Sequence, residues 1–272
     1  MALFLWVLCL LCHLVLFNAL NDPEHAVIVS AYYKMDSKRG TAKNSDEVYF
    51  QFFEHTLLIN CHCVFFYDTE SSYRKLHAIR NDSYHTTWIQ RNASEFHTFG
   101  RTPSLASIWM EKVEMIHLAS KVVNAEWYAW VDAGIVSYRY NTPPSAHWPE
   151  TNLTLKYPPN QVVYHNFRGR FSISGTAYLV PSSMLKIFYY LFYAHLEMCF
   201  LHHPPKSETA VACHDDQVLL AHVLEHSPHY FYNDQIQGLN WGALITENYL
   251  TPHQLEAGAC VQWTGKQLGW CP

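Results

Sequence analysis

The chain has 272 residues and a formal net charge of -5, with 49% hydrophobic, 15% aromatic and 15% charged residues. That apolar content excludes a disordered or low-complexity chain. The acidic balance, with no basic run, removes the usual electrostatic footprint of a nucleic-acid binder, so nucleic acid is not an expected partner.

In chain order the first feature is an apolar segment, residues 2–20, which holds no Lys, Arg, Asp or Glu; the first charged side chain is Asp22. Residues 1–20 read as a signal peptide or signal anchor and residues 21–272 as a single lumenal domain of about 250 residues. The segment's length falls between a signal-peptide core and a full span, and His13 and Asn18 interrupt it. Ala19 suits a cleavage site and Phe17 does not, which favours an uncleaved anchor. The expectation is a single-pass type II protein of the Golgi or ER lumen held to the membrane by this segment, with secretion as the alternative. Three sequons agree with translocation: Asn81-Asp82-Ser83, Asn92-Ala93-Ser94 and Asn152-Leu153-Thr154. Six cysteines follow the segment, Cys61, Cys63, Cys199, Cys213, Cys260 and Cys271, an even number that suits disulfides without choosing their pairing. A Cys61-His62-Cys63 metal site is the sharper alternative, but it lacks a second ligand pair at zinc spacing.

Short apolar runs rich in β-branched and aromatic residues predict strands at Ala26 to Tyr33, Cys63 to Tyr67, Trp127 to Val131, Gln161 to His165, Phe171 to Val180 and His229 to Tyr232. Between them, Leu105, Ile108, Trp109, Ile116, Ala119 and Val123 recur at helical spacing and predict a helix over Ser104 to Asn124; Ser182 to Leu201 and Asp215 to His226 are further helices. Strands alternating with helices give a three-layer α/β/α fold with a mostly parallel central sheet and a mixed portion among its later strands. Asn141 to Pro159 and His202 to Glu208 interrupt the pattern and read as surface loops.

In such sheets ligands gather beyond the carboxyl ends of strands, so acidic residues directly after apolar runs come first. Asp68 and Asp132 qualify. Asp132 is the stronger: Trp127 to Val131 delivers it, and Ala133-Gly134 leaves room for a ligand at the backbone. A carboxylate there suits Mg²⁺ or Mn²⁺ against a diphosphate; the plain alternative is a turn cap. Asp215-Asp216-Gln217 opens an apolar helix, where acids cap free N–H groups and favour the dipole; a sugar-gripping or proton-accepting pair is the functional reading. Ser174-Gly175-Thr176 places small polar residues within a predicted strand, where a glycine marks a bulge or a close approach. His165 and Arg168 just before it, like Arg80, Arg101 and Arg139, are weaker phosphate candidates. Lys112, beside Ile108 and Met115, either snorkels to water or neutralises a diphosphate. The eighteen histidines show no H-x-x-x-H pair on a convincing helix, and no G-x-S-x-G, P-loop or G-x-G-x-x-G is present.

Taken in order, Ile28 to Tyr33, Ile108 to Lys112, Trp130 to Ile135, Ile173 to Thr176 and Asp215 to Gln217 resemble the HtrL/YibB family of glycosyltransferases, within the broader GT-A class, over about Ala26 to Asn248. The resemblance implies a GT-A-like nucleotide-sugar-binding fold, a nucleotide-sugar donor and a glycan or glycoprotein acceptor. It places donor binding at Ser30, Ala31, Tyr32, Lys112, Asp132 and Gly134, acceptor binding at Ser174, Gly175, Thr176 and Gln217, catalytic carboxylates at Asp216 and Asp215, and an Mn²⁺ or Mg²⁺ ion at Asp132. Gly134, two residues after Asp132, departs from the class's two-carboxylate pattern and leaves metal dependence open. Trp148 and Trp241 are candidates for stacking on sugar faces. Two rivals stand beside this reading: a lumenal carbohydrate-binding protein that keeps the fold without turnover, and a disulfide-stapled interaction domain.

Overall fold

The computed structural model describes residues 24–34, 50–51, 53–54, 56–100, 104–133, 154–164, 173, 175–202 and 213–234. Among the described residues seven strands form one sheet: β1 (Glu24–Tyr32), β2 (His62–Tyr67), β3 (Thr86–Gln90), β4 (Ala125–Val131), β5 (Val162–Tyr164), β6 (Ala177–Pro181) and β7 (Phe231–Asn233). Their order is β3-β2-β1-β4-β6-β5-β7. The first four pair in parallel, β6 runs antiparallel to both β4 and β5, and β5 pairs in parallel with β7. This is the expected α/β fold with a mostly parallel central sheet, and the mixed portion is the part beyond β4.

The central strands are buried along nearly their whole length, which is why they read as unbroken apolar runs. Alternate side chains feed two cores. On one face Val27, Val29, Val64, Phe66, Tyr128 and Val180 pack with helices α2 (Ser104–Met110), α3 (Lys112–Val122), α4 (Leu185–His202) and α5 (Asp216–His226). On the other, Ile28, Phe65, Trp127, Ala129 and Leu179 meet Phe53, Leu57 and Leu76, the last from α1 (Glu70–Arg80). Two helical layers therefore sandwich the sheet.

Several expectations change. The single helix over Ser104 to Asn124 is two, α2 and α3, separated at Glu111, whose buried carboxylate lies 2.9 Å from Arg91. The predicted strand from Phe171 starts only at Ala177, so Gly175 and Thr176 precede β6 rather than interrupt it. Helix α1 and edge strand β3 carry no sequence expectation. The buried stripe of α1 is Ser72, Leu76 and Arg80, two of them polar, and β3 is a half-exposed edge. Arg80, a weak phosphate candidate, is a core residue instead. Its guanidinium donates to the carbonyls of Leu57, Ile59 and Cys61 at 2.6–2.9 Å and to Thr86 Oγ1 at 2.7 Å.

A disulfide joins Cys199 near the end of α4 to Cys213 just before α5. Cys61 and Cys63 are buried free thiols, outside the disulfides that the even cysteine count suits, and burial pushes both thiols up in pKa; Cys260 and Cys271 lie outside the described residues. The apolar segment 1–20, Asn152, the loops at 141–153 and 203–208, and Trp148 and Trp241 also lie outside them. Helix α4 has the length and apolarity of a membrane span, yet its Phe188, Phe192, Leu196 and Phe200 are core residues packed with α3 and α5.

Candidate functional site

Strand β1 is the point from which the sheet runs out in two directions, through β2 to β3 and through β4 to the mixed edge. In open α/β sheets the crevice outside the carboxyl ends at such a switch point is where ligands bind. Asp132 stands there, directly after β4 and beside β1. Ser30 ties the two strands together by donating its hydroxyl to the Val131 carbonyl at 2.7 Å. Beyond β4, the Asp132 N–H continues the antiparallel ladder by donating to the Thr176 carbonyl at 2.8 Å, which sets Gly175 and Thr176 beside it.

Three charges converge at this corner. The Lys112 ammonium, at the start of α3, lies 2.9 Å from Asp132 Oδ1 and 2.6 Å from Asp216 Oδ2 at the start of α5, and donates to the Gly175 carbonyl at 2.9 Å. Its three N–H directions thus meet three oxygens. Lys112 and Asp216 are almost wholly buried, whereas Asp132 keeps 22% of its side chain exposed. Trp130, two residues earlier in β4 and so on the same face, donates its indole N–H to Asp132 Oδ1 at 2.7 Å, with the ammonium 5.6 Å from its ring centre. Both contacts fall on Oδ1. Oδ2 has no partner among the described residues.

One cation serves two carboxylates. Burial pulls the Lys112 pKa down, but Asp132 and Asp216 overcome this and hold it above the ordinary lysine value. For Asp216, desolvation dominates; Lys112 pulls back, Asp132 adds repulsion, and the carboxyl is raised to about 6. These are directions for one coupled cluster rather than independent sites. Tyr178 of β6 is fully buried against the same charges, its phenol pushed up by desolvation and then by Asp216 and Asp132, and its hydroxyl has no hydrogen-bond partner among the described residues.

Asp215 is the N-cap of α5, accepting from the N–H groups of Gln217 and Val218 at 2.9 and 3.4 Å. Gly175 presses on the same helix start: a Cβ there would stand 2.8 Å from Gln217 Cγ and 2.9 Å from Asp216 Cγ. Ala31 and Tyr32 are buried, and the Tyr32 ring stacks on Phe53 at 5.7 Å within the core. Asp68 caps the turn after β2, accepting from the N–H groups of Lys34 and Thr69. Gly134, Ser174, His165, Arg168, Arg101 and Arg139 lie outside the described residues. Sequence reasoning missed Trp130, although its i, i+2 relation to Asp132 was a usable signal, and Tyr178. It also missed an i, i+4 histidine pair: His222 and His226 share α5, exposed, with Glu225 beside them.

For a divalent cation, the residues offer Asp132, with 22% of its side chain exposed, and no group of three possible ligands among the described residues includes it. That suits a cation bound through one carboxylate together with substrate phosphates and waters, as Mg²⁺ commonly is, and not a closed protein cage.

The chain matches no family model, and no curated protein matches it. Among solved structures it is similar to mouse xyloside xylosyltransferase 1 in its apo form, at 11% identity over 78% of this chain and 85% of that one, with a TM-score of 0.46. It is similar also to a glycosyltransferase involved in glycosylation of the major capsid of PBCV-1, at 13% identity over 66% and 70% with a TM-score of 0.39. A third is the PaToxG glycosyltransferase, at 12% identity over 92% and 82% with a TM-score of 0.39.

Proposed function

We propose that the chain is a GT-A-type glycosyltransferase, related to the HtrL/YibB family, that moves a sugar from a nucleotide-sugar donor to a glycan or glycoprotein acceptor. The observation that carries this reading is Asp132: a partly exposed carboxylate at the switch point of the sheet, fixed through one oxygen by Lys112 and Trp130 and open at the other. A carboxylate held this firmly is preorganised for a ligand.

The donor diphosphate lies over the ends of β1 and β4, beside Asp132 and Gly134. Asp132 would hold a Mn²⁺ or Mg²⁺ ion, which would supply neutralisation of the departing charge. Lys112 acts on the donor through Asp132, which it orients, because its own N–H groups are engaged. Ser30 holds β1 against β4, and Ala31 and Tyr32, buried at the carboxyl end of β1, support that strand end. The acceptor approaches along Ser174, Gly175, Thr176 and Gln217. Asp216, raised to about 6, has the affinity of a base working near neutral pH and is assigned proton acceptance in an inverting reaction; Asp215 positions it by capping α5. Residues 21–272 form the lumenal domain behind the 1–20 anchor. The Cys199–Cys213 bridge and the exposed sequon residues Asn81 and Asn92 support an oxidising, glycosylating compartment.

One observation favours a second reading, a binding protein without turnover: Asp216 is nearly buried and already paired with Lys112. Both readings share the donor site, which calorimetric titration of UDP, GDP and CMP with Mn²⁺ tests. One nucleotide binds one-to-one, at least tenfold more weakly to Asp132→Asn; binding by none of them, or equal binding to the variant, removes the site.

A further inference from the structure

At the end of the sheet opposite Asp132 lies a second cluster of chemistry-bearing side chains. Strand β1 begins with Glu24, β2 begins with His62, and His85 immediately precedes β3. The parallel register aligns Val27 with His62 and Cys63 with Thr86, so all three side chains rise from the amino edge of neighbouring strands. Glu24 Oε1 lies 3.3 Å from His62 Nδ1 and 3.6 Å from His85 Nδ1. The two imidazoles stack, with centres 3.6 Å apart and planes inclined by 22°. His62 is buried, and its other nitrogen meets Thr87 Oγ1 at 3.1 Å; His85 is exposed.

The geometry points to a transition-metal site at Glu24, His62 and His85, with Zn²⁺ as the ion it fits best. Zinc bonds of about 2.0–2.2 Å to nitrogen and oxygen give a tetrahedron whose edges are about 3.3–3.5 Å. The two oxygen–nitrogen edges, 3.3 and 3.6 Å, are close to that length, and the three ligand atoms all lie within 4.8 Å of one another. Two imidazoles and one carboxylate select zinc or its transition-metal neighbours over Mg²⁺ and Ca²⁺, which take oxygen. Thr87 supplies the outer partner that fixes the orientation of a ligating histidine.

The rings now stack face to face, so in-plane lone pairs on their Nδ1 atoms do not converge on one point. Capture requires one ring to tilt, and the exposed His85 is the one free to do so. Alternation along the extended chain turns His62 away from its neighbours Cys61 and Cys63, whose thiols belong to the apolar core. The Cys61-His62-Cys63 motif therefore contributes only its histidine. Three protein ligands leave a fourth position to water, and a bound ion clamps the amino ends of β1, β2 and β3, stabilising the fold by mass action.

The test uses the full chain, with Zn²⁺ titrated against a chromophoric chelator and thermal unfolding followed with and without Zn²⁺. The variants are His85→Ala and Glu24→Gln; the His222→Ala/His226→Ala double variant tests the exposed pair on α5. The site predicts one Zn²⁺ per chain and a higher Tm with the metal. It also predicts at least tenfold weaker binding in His85→Ala and Glu24→Gln, and an unchanged affinity in the α5 double variant. Because His85 is exposed, its variant should match the wild-type Tm in chelator, which separates lost binding from lost folding. No one-to-one binding, an affinity indifferent to His85→Ala, or loss of binding in the α5 variant would each overturn the assignment.

Discussion

Lys112 is the residue on which the site turns. Its ammonium lies between two carboxylates in a nearly dry corner, and removing one partner of a buried pair typically costs about 3–5 kcal/mol. Lys112→Met is therefore expected to destabilise the protein by that amount at pH 8. The sign at lower pH follows from Asp216. Its folded pKa of about 6 lies above the ordinary carboxyl value, so its contribution to stability falls as pH rises from about 4 to 6. Lys112, held above its ordinary value, contributes fully at and below neutral pH and loses this only in strong alkali. Without Lys112 the Asp216 pKa climbs further, the carboxyl is neutral at pH 5, and the penalty shrinks. Urea unfolding at pH 8 and pH 5 checks this, and equal losses at both would refute it. Gly175→Ala probes the same corner through space: the new methyl meets Asp216 and Gln217, so a lower Tm and misplacement of the α5 start are expected, against an unchanged Tm if the corner is loose. Asp132, Lys112 and Asp216 were each legible in the sequence. Their convergence was not, because Lys112 and Asp216 stand 104 positions apart and only the fold joins them.

At the scale of elements, the strands were the most legible part of the chain, since β1, β2 and β4 are buried on both faces and write themselves as apolar runs. What was hidden has physical causes. The α1 stripe passes through Ser72 and Arg80, and the polarity of a guanidinium satisfied by carbonyls masks a core position. The α2–α3 break falls at Glu111, and the buried pair this residue makes with Arg91 is not revealed by spacing. The start of α5 is secured by the Asp215 cap and by the Cys199–Cys213 bridge, whose cysteines are 14 positions apart. Closing a loop of this size constrains the unfolded chain by about 3 kcal/mol. Cys199→Ser/Cys213→Ser should lose that much in denaturant unfolding, and an unchanged midpoint would show that the bridge does not bear on stability.

For the whole molecule, the strand order could not be read from the sequence, because antiparallel β6 between two parallel partners follows from long-range pairing. That order makes β1 the switch point and brings Asp132 to the crevice. The proposed activity requires this crevice to turn over a nucleotide-sugar. The direct measurement is nucleotide release from UDP-, GDP- and CMP-sugars by the purified chain, with Mn²⁺ and with chelator, beside Asp132→Asn. We predict release from one donor class, reduced at least a hundredfold in the variant. Folded protein that binds a nucleotide but releases none from any donor, or a variant as active as the wild type, would contradict the transferase reading.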